Sequence, residues 1–158
     1  MKKRAILVDG NNLLFRSYYA TAYNGNLMKN SKGIPTNGLF GFVNMINKII
    51  NEEKPEYMMI AFDKGHNFRQ DLYDSYKDGR IETPNDLKIQ FPIAKELCTL
   101  IGIKYIECDN YEADDIIGTF ARMADEDKEY KYMLELYRSL VDIEPILHKP
   151  VRQMSLGR

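Results

Sequence analysis

Three short apolar runs, each stopped by acidic or turn-forming residues, constrain this chain more than any other feature. They are "RAILV" at 4–8, "YMMIAF" at 57–62 and "IKYIE" at 103–107. Each is continuous rather than alternating and too short for a buried helix, the pattern of a strand covered on both faces. The first ends at Asp9-Gly10 and the second at Asp63; "CDN" and then the cluster "EADD" follow the third. Long segments of helical spacing lie between the runs. Strands alternating with helices predict a parallel α/β sheet of at least three strands.

The helical segments carry their own punctuation. Thr36 is placed to cap a helix whose apolar positions Leu39, Phe42, Val43, Ile46, Ile49 and Ile50 share one face. Thr83-Pro84-Asn85-Asp86 reads as a second cap with proline at the first helical position. Leu87, Phe91, Ala94, Cys98 and Ile101 continue that helix, Pro92 predicts a kink in it and Gly102 closes it. Gly10-Asn11-Asn12 reads as a sharp turn that frees backbone N–H groups, and the helix N-terminus that "NSKGIPTNGLFGF" delivers at Thr36 as a place where a phosphate can bind. Residues 128–141 give one more amphipathic helix before an irregular tail.

Composition narrows the class. With 158 residues and 44% hydrophobic content the chain suffices for one domain with a real core. No apolar run approaches the roughly 18 residues of a membrane span, so no membrane partner is expected. The opening "MKKRAILVDG" superficially resembles a signal peptide, but its apolar run stops at Asp9 and reads better as a strand. Cys98 and Cys108 lack metal-ligand spacing and read as buried free thiols of a reducing cytosol, hence a cytoplasmic protein.

The net charge of −1 gives no global argument for nucleic acid, yet the charge is divided. Residues 1–80 hold 12 Lys/Arg and 8 Asp/Glu, whereas residues 81–158 hold 10 and 15. Ligand sites of parallel sheets lie beyond the strand carboxyl ends. Asp9, Asp63, Glu112, Asp114 and Asp115 would therefore gather at one edge. Crowded carboxylates repel and raise one another's pKa, and a hard divalent cation with oxygen ligands, Mg2+ or Mn2+, relieves that repulsion. Strand-end caps and first-turn acids meeting a helix dipole are the ordinary alternative for each residue alone. Between Asp63 and the next helix, Lys64, Arg69, Lys77 and Arg80 alternate with Phe68, Tyr73 and Tyr76, a mixture suited to single-stranded nucleic acid. Asp71, Asp74 and Asp78 dilute it, and His66 reads as a loop residue.

Five blocks in order, "ILVDGNNLLFRSYYA", "SKGIPTNGLFGFVNM", "KPEYMMIAFD", "FRQDLYDSYKDGR" and "NYEADDIIGTFA", resemble the 5′-nuclease domain of bacterial DNA polymerase I and its stand-alone 5′–3′ exonuclease and flap-endonuclease relatives. The resemblance covers roughly residues 3–124. It implies a PIN-like parallel α/β fold and phosphodiester cleavage at a 5′ end or 5′ flap of DNA, in replication and repair. It assigns Asp9, Asp63, Glu112, Asp114 and Asp115 to an acidic metal site. Lys77 and Arg80 of "YKDGR" become the basic pair that stabilises the scissile phosphate, with Arg69 and Tyr73 as weaker neighbours and Arg16 as a further DNA contact. The mechanism it implies uses two ions roughly 3.5–4 Å apart.

The family continues into a strand bearing a further acidic pair and then a helix-hairpin-helix-like module. Residues 125–158 match neither, since Asp125 and Asp127 lie near a helix end. The expectation is a partial nuclease domain over 1–124 followed by a divergent helix and tail, with the second metal lost and cleavage weakened. An uncovered sheet edge would then invite self-association. A non-catalytic DNA-structure-binding or assembly protein and a PIN-type ribonuclease are the alternatives. An aspartyl-phosphate phosphatase is disfavoured because position 11, two residues after Asp9, is Asn.

Overall fold

The computed structural model describes residues 5–22, 27–66, 68–72 and 82–126. Among them, three parallel strands form one sheet in the order β1-β2-β3, with β1 at Ala5–Asp9, β2 at Tyr57–Phe62 and β3 at Lys104–Glu107. The register pairs Asp9 with Ala61 and Phe62 with Glu107, so the carboxyl ends of all three strands finish at one level. All three predicted strands are present, in the parallel sheet expected of them.

Helices cover both faces, as the unbroken apolar runs require. Successive strand side chains point to opposite sides. Ile6, Val8, Ile60 and Phe62 therefore meet α1 (Gly10–Thr21), α2 (Asn37–Glu53) and α5 (Gln90–Leu100) through Leu14, Phe42, Ile46 and Ala94. Ala5, Leu7 and Ala61 face the other way, onto Ala113, Ile116 and Ile117 of α6 (Ala113–Glu126). Phe42, Phe62, Ile6, Leu14, Ile46 and Ile60 are fully buried. At roughly 1.5–3 kcal/mol for each such side chain, this apolar packing dominates over any single polar bond at the edge.

Two short helices complete the described set, α3 at Phe68–Leu72 and α4 at Asn85–Lys88. The break between α4 and α5 falls at Ile89 rather than at Pro92 itself. A proline ring clashes with the carbonyl four residues before it, here that of Lys88, so the helix yields upstream of the proline. Pro84 is the N-cap of α4, not its first helical residue, and its carbonyl accepts from the Leu87 and Lys88 N–H groups. Thr36 does precede α2, but its hydroxyl makes no cap bond. Gly102, at φ +77°, ends α5 as expected, with the Ile103 N–H reaching back to the Cys98 carbonyl. The amphipathic segment at 128–141 and the tail lie outside the described residues.

The largest departure is α1. Gly10-Asn11-Asn12 forms no open turn; helix begins at once, with the Asp9 carboxylate accepting from the Asn12 N–H at 2.9 Å. Gly10 is there for close approach: a Cβ would lie 2.6 Å from the Phe62 ring and 2.7 Å from Ile60. A buried polar network then fixes α1 against α2 and α5. Gln90 accepts from the Leu39 N–H (3.0 Å) and donates to Asn37 (3.2 Å), whose amide donates to the Tyr18 carbonyl and the Thr21 hydroxyl. Both Gln90 and Asn37 are buried.

Gly10→Ala should lower stability by about 1–3 kcal/mol through overpacking against a fully buried ring, read as a lower urea midpoint. An unchanged midpoint would show that Phe62 and Ile60 can step aside.

Candidate functional site

The carboxyl edge of the sheet is assembled by polar bonds among strand ends and helix starts. Asp9 terminates β1 and caps α1. Asp63 follows β2, and its N–H donates to the Asn11 side-chain oxygen at 3.0 Å. The Asn11 amide donates back to Asp63 Oδ2 at 3.1 Å. Asp63 Oδ1 accepts from the Ala113 N–H at 2.7 Å and so caps α6. Glu112, Asp114 and Asp115 occupy the start of that helix, and Asp115 Oδ2 reaches back to the Glu112 N–H at 3.0 Å. Asp9, Asp63, Glu112, Asp114 and Asp115 thus come together at one edge. Asn11, read from the sequence only as a turn residue, is the side chain that joins two of the strand ends.

The acids divide into paired and unpaired sets. Arg69 of α3 grips Asp115 with both guanidinium nitrogens, Nη1 to Oδ2 at 2.7 Å and Nη2 to Oδ1, and reaches Glu112 at 3.4 Å. Glu107, at the end of β3, is bonded to Lys95, and Asp109 pairs with Lys64 at 3.0 Å. His66, exposed after β2, hydrogen-bonds the exposed Asp71 of α3. Asp9, Asp63 and Asp114 have no such cationic partner among the described residues.

Their electrostatics follow. Burial raises the Asp9 carboxyl from 3.8 to about 7; Asp114 and Asp63 push the same way, and the Asn12 and Asn11 N–H groups oppose. The positive end of α1 also opposes, because a helix N-terminus favours an anion. Asp114, exposed as a residue, is raised too, first by desolvation and then by Asp63, Glu112 and Asp115. Asp115 is lowered, chiefly by its hydrogen bonds from Arg69.

Oxygen donors in mutual repulsion are the chemistry a hard divalent cation satisfies. The donors are not preassembled around a single point: among the described residues no three Asp, Glu, His or Cys side chains form a ready cation cage. Several of the oxygens are already engaged: those of Asp9 and Asp63 accept from N–H groups, and those of Asp115 and Glu112 from the Arg69 guanidinium. The residues fit the ion by donor type and charge, and rotations of their side chains would have to complete the fit.

The basic residues fare unevenly. Arg69, expected to face DNA, is turned inward onto the acids, and its guanidinium lies 4.7 Å from the Phe68 ring centre. Arg16 is exposed on α1, about two turns beyond Asp9. Tyr73, Lys77 and Arg80 lie outside the described residues. Cys98 is buried as predicted, whereas Cys108 is exposed, because the chain has already left the sheet there.

Sheet and edge together define a parallel α/β domain with an acidic site beyond its strand carboxyl ends. Residues 4–135 match the sequence profile of the "5′-3′ exonuclease, N-terminal resolvase-like domain", reaching past residue 124. The chain belongs to that family. It is 44% identical over 128 residues to DNA polymerase I of Bacillus caldotenax, across 80% of this chain and 14% of that protein. With DNA polymerase I of Streptococcus pneumoniae it shares 39% over 127 residues, again 80% and 14%. The chain thus spans about a seventh of these relatives.

Solved structures agree on the fold. The bacteriophage T5 5′-exonuclease with divalent zinc ions bound superposes with a TM-score of 0.55 at 22% identity, over 78% of this chain and 45% of that one. A T5 flap endonuclease in complex with DNA and metal ions gives 0.53 at 22%, over 77% and 44%. No described helix is long and apolar enough to cross a membrane.

A raised carboxyl weakens the fold once it must ionise. With no divalent ion present, the Asp9 contribution is fully favourable below pH 4 and is lost as pH rises through about 7. The loss is on the order of 4 kcal/mol at most. Asp114 acts in the same direction. Asp115 acts oppositely, its contribution fading as pH falls through its lowered value. Urea midpoints between pH 4 and 8 should therefore decline, and Asp9→Asn should flatten the decline. A curve that Asp9→Asn leaves unchanged would count against the strained carboxyl.

Proposed function

We propose that this chain carries the acidic half of a divalent-metal-dependent 5′–3′ exonuclease/flap-endonuclease site that hydrolyses phosphodiesters in DNA. What supports the reading is the convergence of Asp9, Asp63 and Asp114, unpaired with any described cation, in a chain of this family. Asp9, Asp63 and Asp114, with Glu112 and Asp115, would hold Mg2+ or Mn2+. The ion, when bound, supplies an activated water and offsets charge on the phosphate. Asn11 keeps Asp63 in place, and the starts of α1 and α6 lend positive potential to the same edge. Lys77 and Arg80 bind the scissile phosphate and its neighbours, Tyr73 offers a stacking ring, and Arg16 contacts a phosphate farther along the strand.

The substrate is DNA with a free 5′ end or a 5′ flap, in the cytoplasm. Self-association along the sheet edge is part of the reading, as β1 is paired on one side only among the described residues. Sedimentation of a monomer at micromolar concentration would remove that part.

The decisive assay incubates the chain and Asp114→Asn with 5′-flap DNA and Mg2+ or Mn2+. Cleavage by the parent, reduced about 10²–10³-fold in the variant, is the expected result. Binding without cleavage by the parent favours the second reading, a DNA-structure-binding protein. Cleavage by Asp114→Asn at the parental rate would sink the site assignment. If Lys77 and Arg80 touch phosphates, replacing either with Gln should lower the slope of log affinity against log salt by about 1. An unaltered slope would remove them from the interface.

A further inference from the structure

We propose that Arg69 is the site's built-in counter-cation, a positioning residue that latches α3 to Glu112 and Asp115 and gives way to a divalent ion. The inference rests on the reading that the acidic edge binds such an ion.

The geometry is that of a latch rather than a passing surface pair. The planar guanidinium matches both Asp115 oxygens at once and adds Glu112, an arrangement a lysine cannot reproduce. Side chains of Arg69, Glu112 and Asp115 are 29%, 14% and 21% exposed, so the pair is less screened than an open surface ion pair. α3 is pinned beside it: the Phe68 N–H donates to the Asn110 carbonyl at 3.0 Å, and the Phe68 and Tyr111 rings lie 5.8 Å apart. Asn110 adopts φ +68°, which turns the chain from β3 toward α6. Arg69 thus ties α3 to the start of α6.

Competition follows from charge and distance. A divalent ion has twice the charge of a guanidinium and approaches oxygen to about 2.1 Å for Mg2+, against 2.7 Å for Arg69 Nη1 to Asp115 Oδ2. Both cations need the same oxygens. Ion binding at Asp115 therefore loosens Arg69, and by linkage an intact latch weakens ion binding by the same factor.

The test titrates the full chain with Mn2+ alone, by calorimetry, in the parent, Arg69→Gln and Arg69→Lys. Arg69→Gln should bind Mn2+ about tenfold more tightly. Arg69→Lys, which keeps the charge and loses the fork, should gain a smaller factor and decides the matter if the Gln variant does not fold. A folded variant with parental or weaker Mn2+ affinity overturns the latch. A second readout is the salt dependence of single-stranded DNA binding without divalent ions. Arg69→Gln should leave the slope unchanged, whereas a slope reduced by about 0.7 marks Arg69 as a phosphate contact and overturns the latch. No Mn2+ binding by any of the three proteins overturns the cation reading itself, and the latch with it.

Discussion

Asp63 is the junction on which the acidic edge depends. Its N–H and one carboxylate oxygen exchange hydrogen bonds with the Asn11 amide, while its other oxygen caps α6 at Ala113. One residue therefore ties the start of α1, the end of β2 and the start of α6. Without that junction the two helix N-termini would have no fixed relation to each other. With it, both positive helix ends and the Arg69 guanidinium surround a group of acids that would otherwise repel one another.

The apolar layers set the stage for this edge but do not specify it. Alternation along β1 and β2 sends Ile6, Val8, Ile60 and Phe62 to one helical layer and Ala5, Leu7 and Ala61 to the other. Gly10 lets α1 leave the sheet with no intervening loop, because any Cβ would strike Phe62 and Ile60. That tight departure is what keeps Asp9 beside Asp63 and Asp114. The buried Gln90 and Asn37 side chains hold α1, α2 and α5 in register on the same side through their hydrogen bonds.

Much of this was legible in the residues. Continuous apolar runs marked the strands because a doubly covered strand needs no polar face. Gly102 and the acidic opening of α6 marked helix ends through φ and dipole, both local effects. The gathering of five acids was legible for a topological reason, since parallel strands all present their carboxyl ends at one edge. Other features depended on partners distant in sequence. Gly10-Asn11-Asn12 has turn-like composition, and only the Asp9 cap and the approach to Phe62 make it helix. Pro92 announced a break whose place, at Ile89, depends on where its ring meets the preceding turn. Cys108 looked buried because it adjoins a strand, although the strand has ended by Glu107.

The strands, the parallel α/β class, the family and the set of acids at the edge follow from the order of residues, because each rests on local pattern or on position along the chain. Tertiary structure alone decided how those acids are used. Asp115 and Glu112 face Arg69, 46 and 43 residues away; Asp63 faces Asn11 and Ala113; Asp9 caps its own helix. Charge is written in the sequence, but compensation of charge depends on distance, and distance across 40 or more residues is set only when the chain folds.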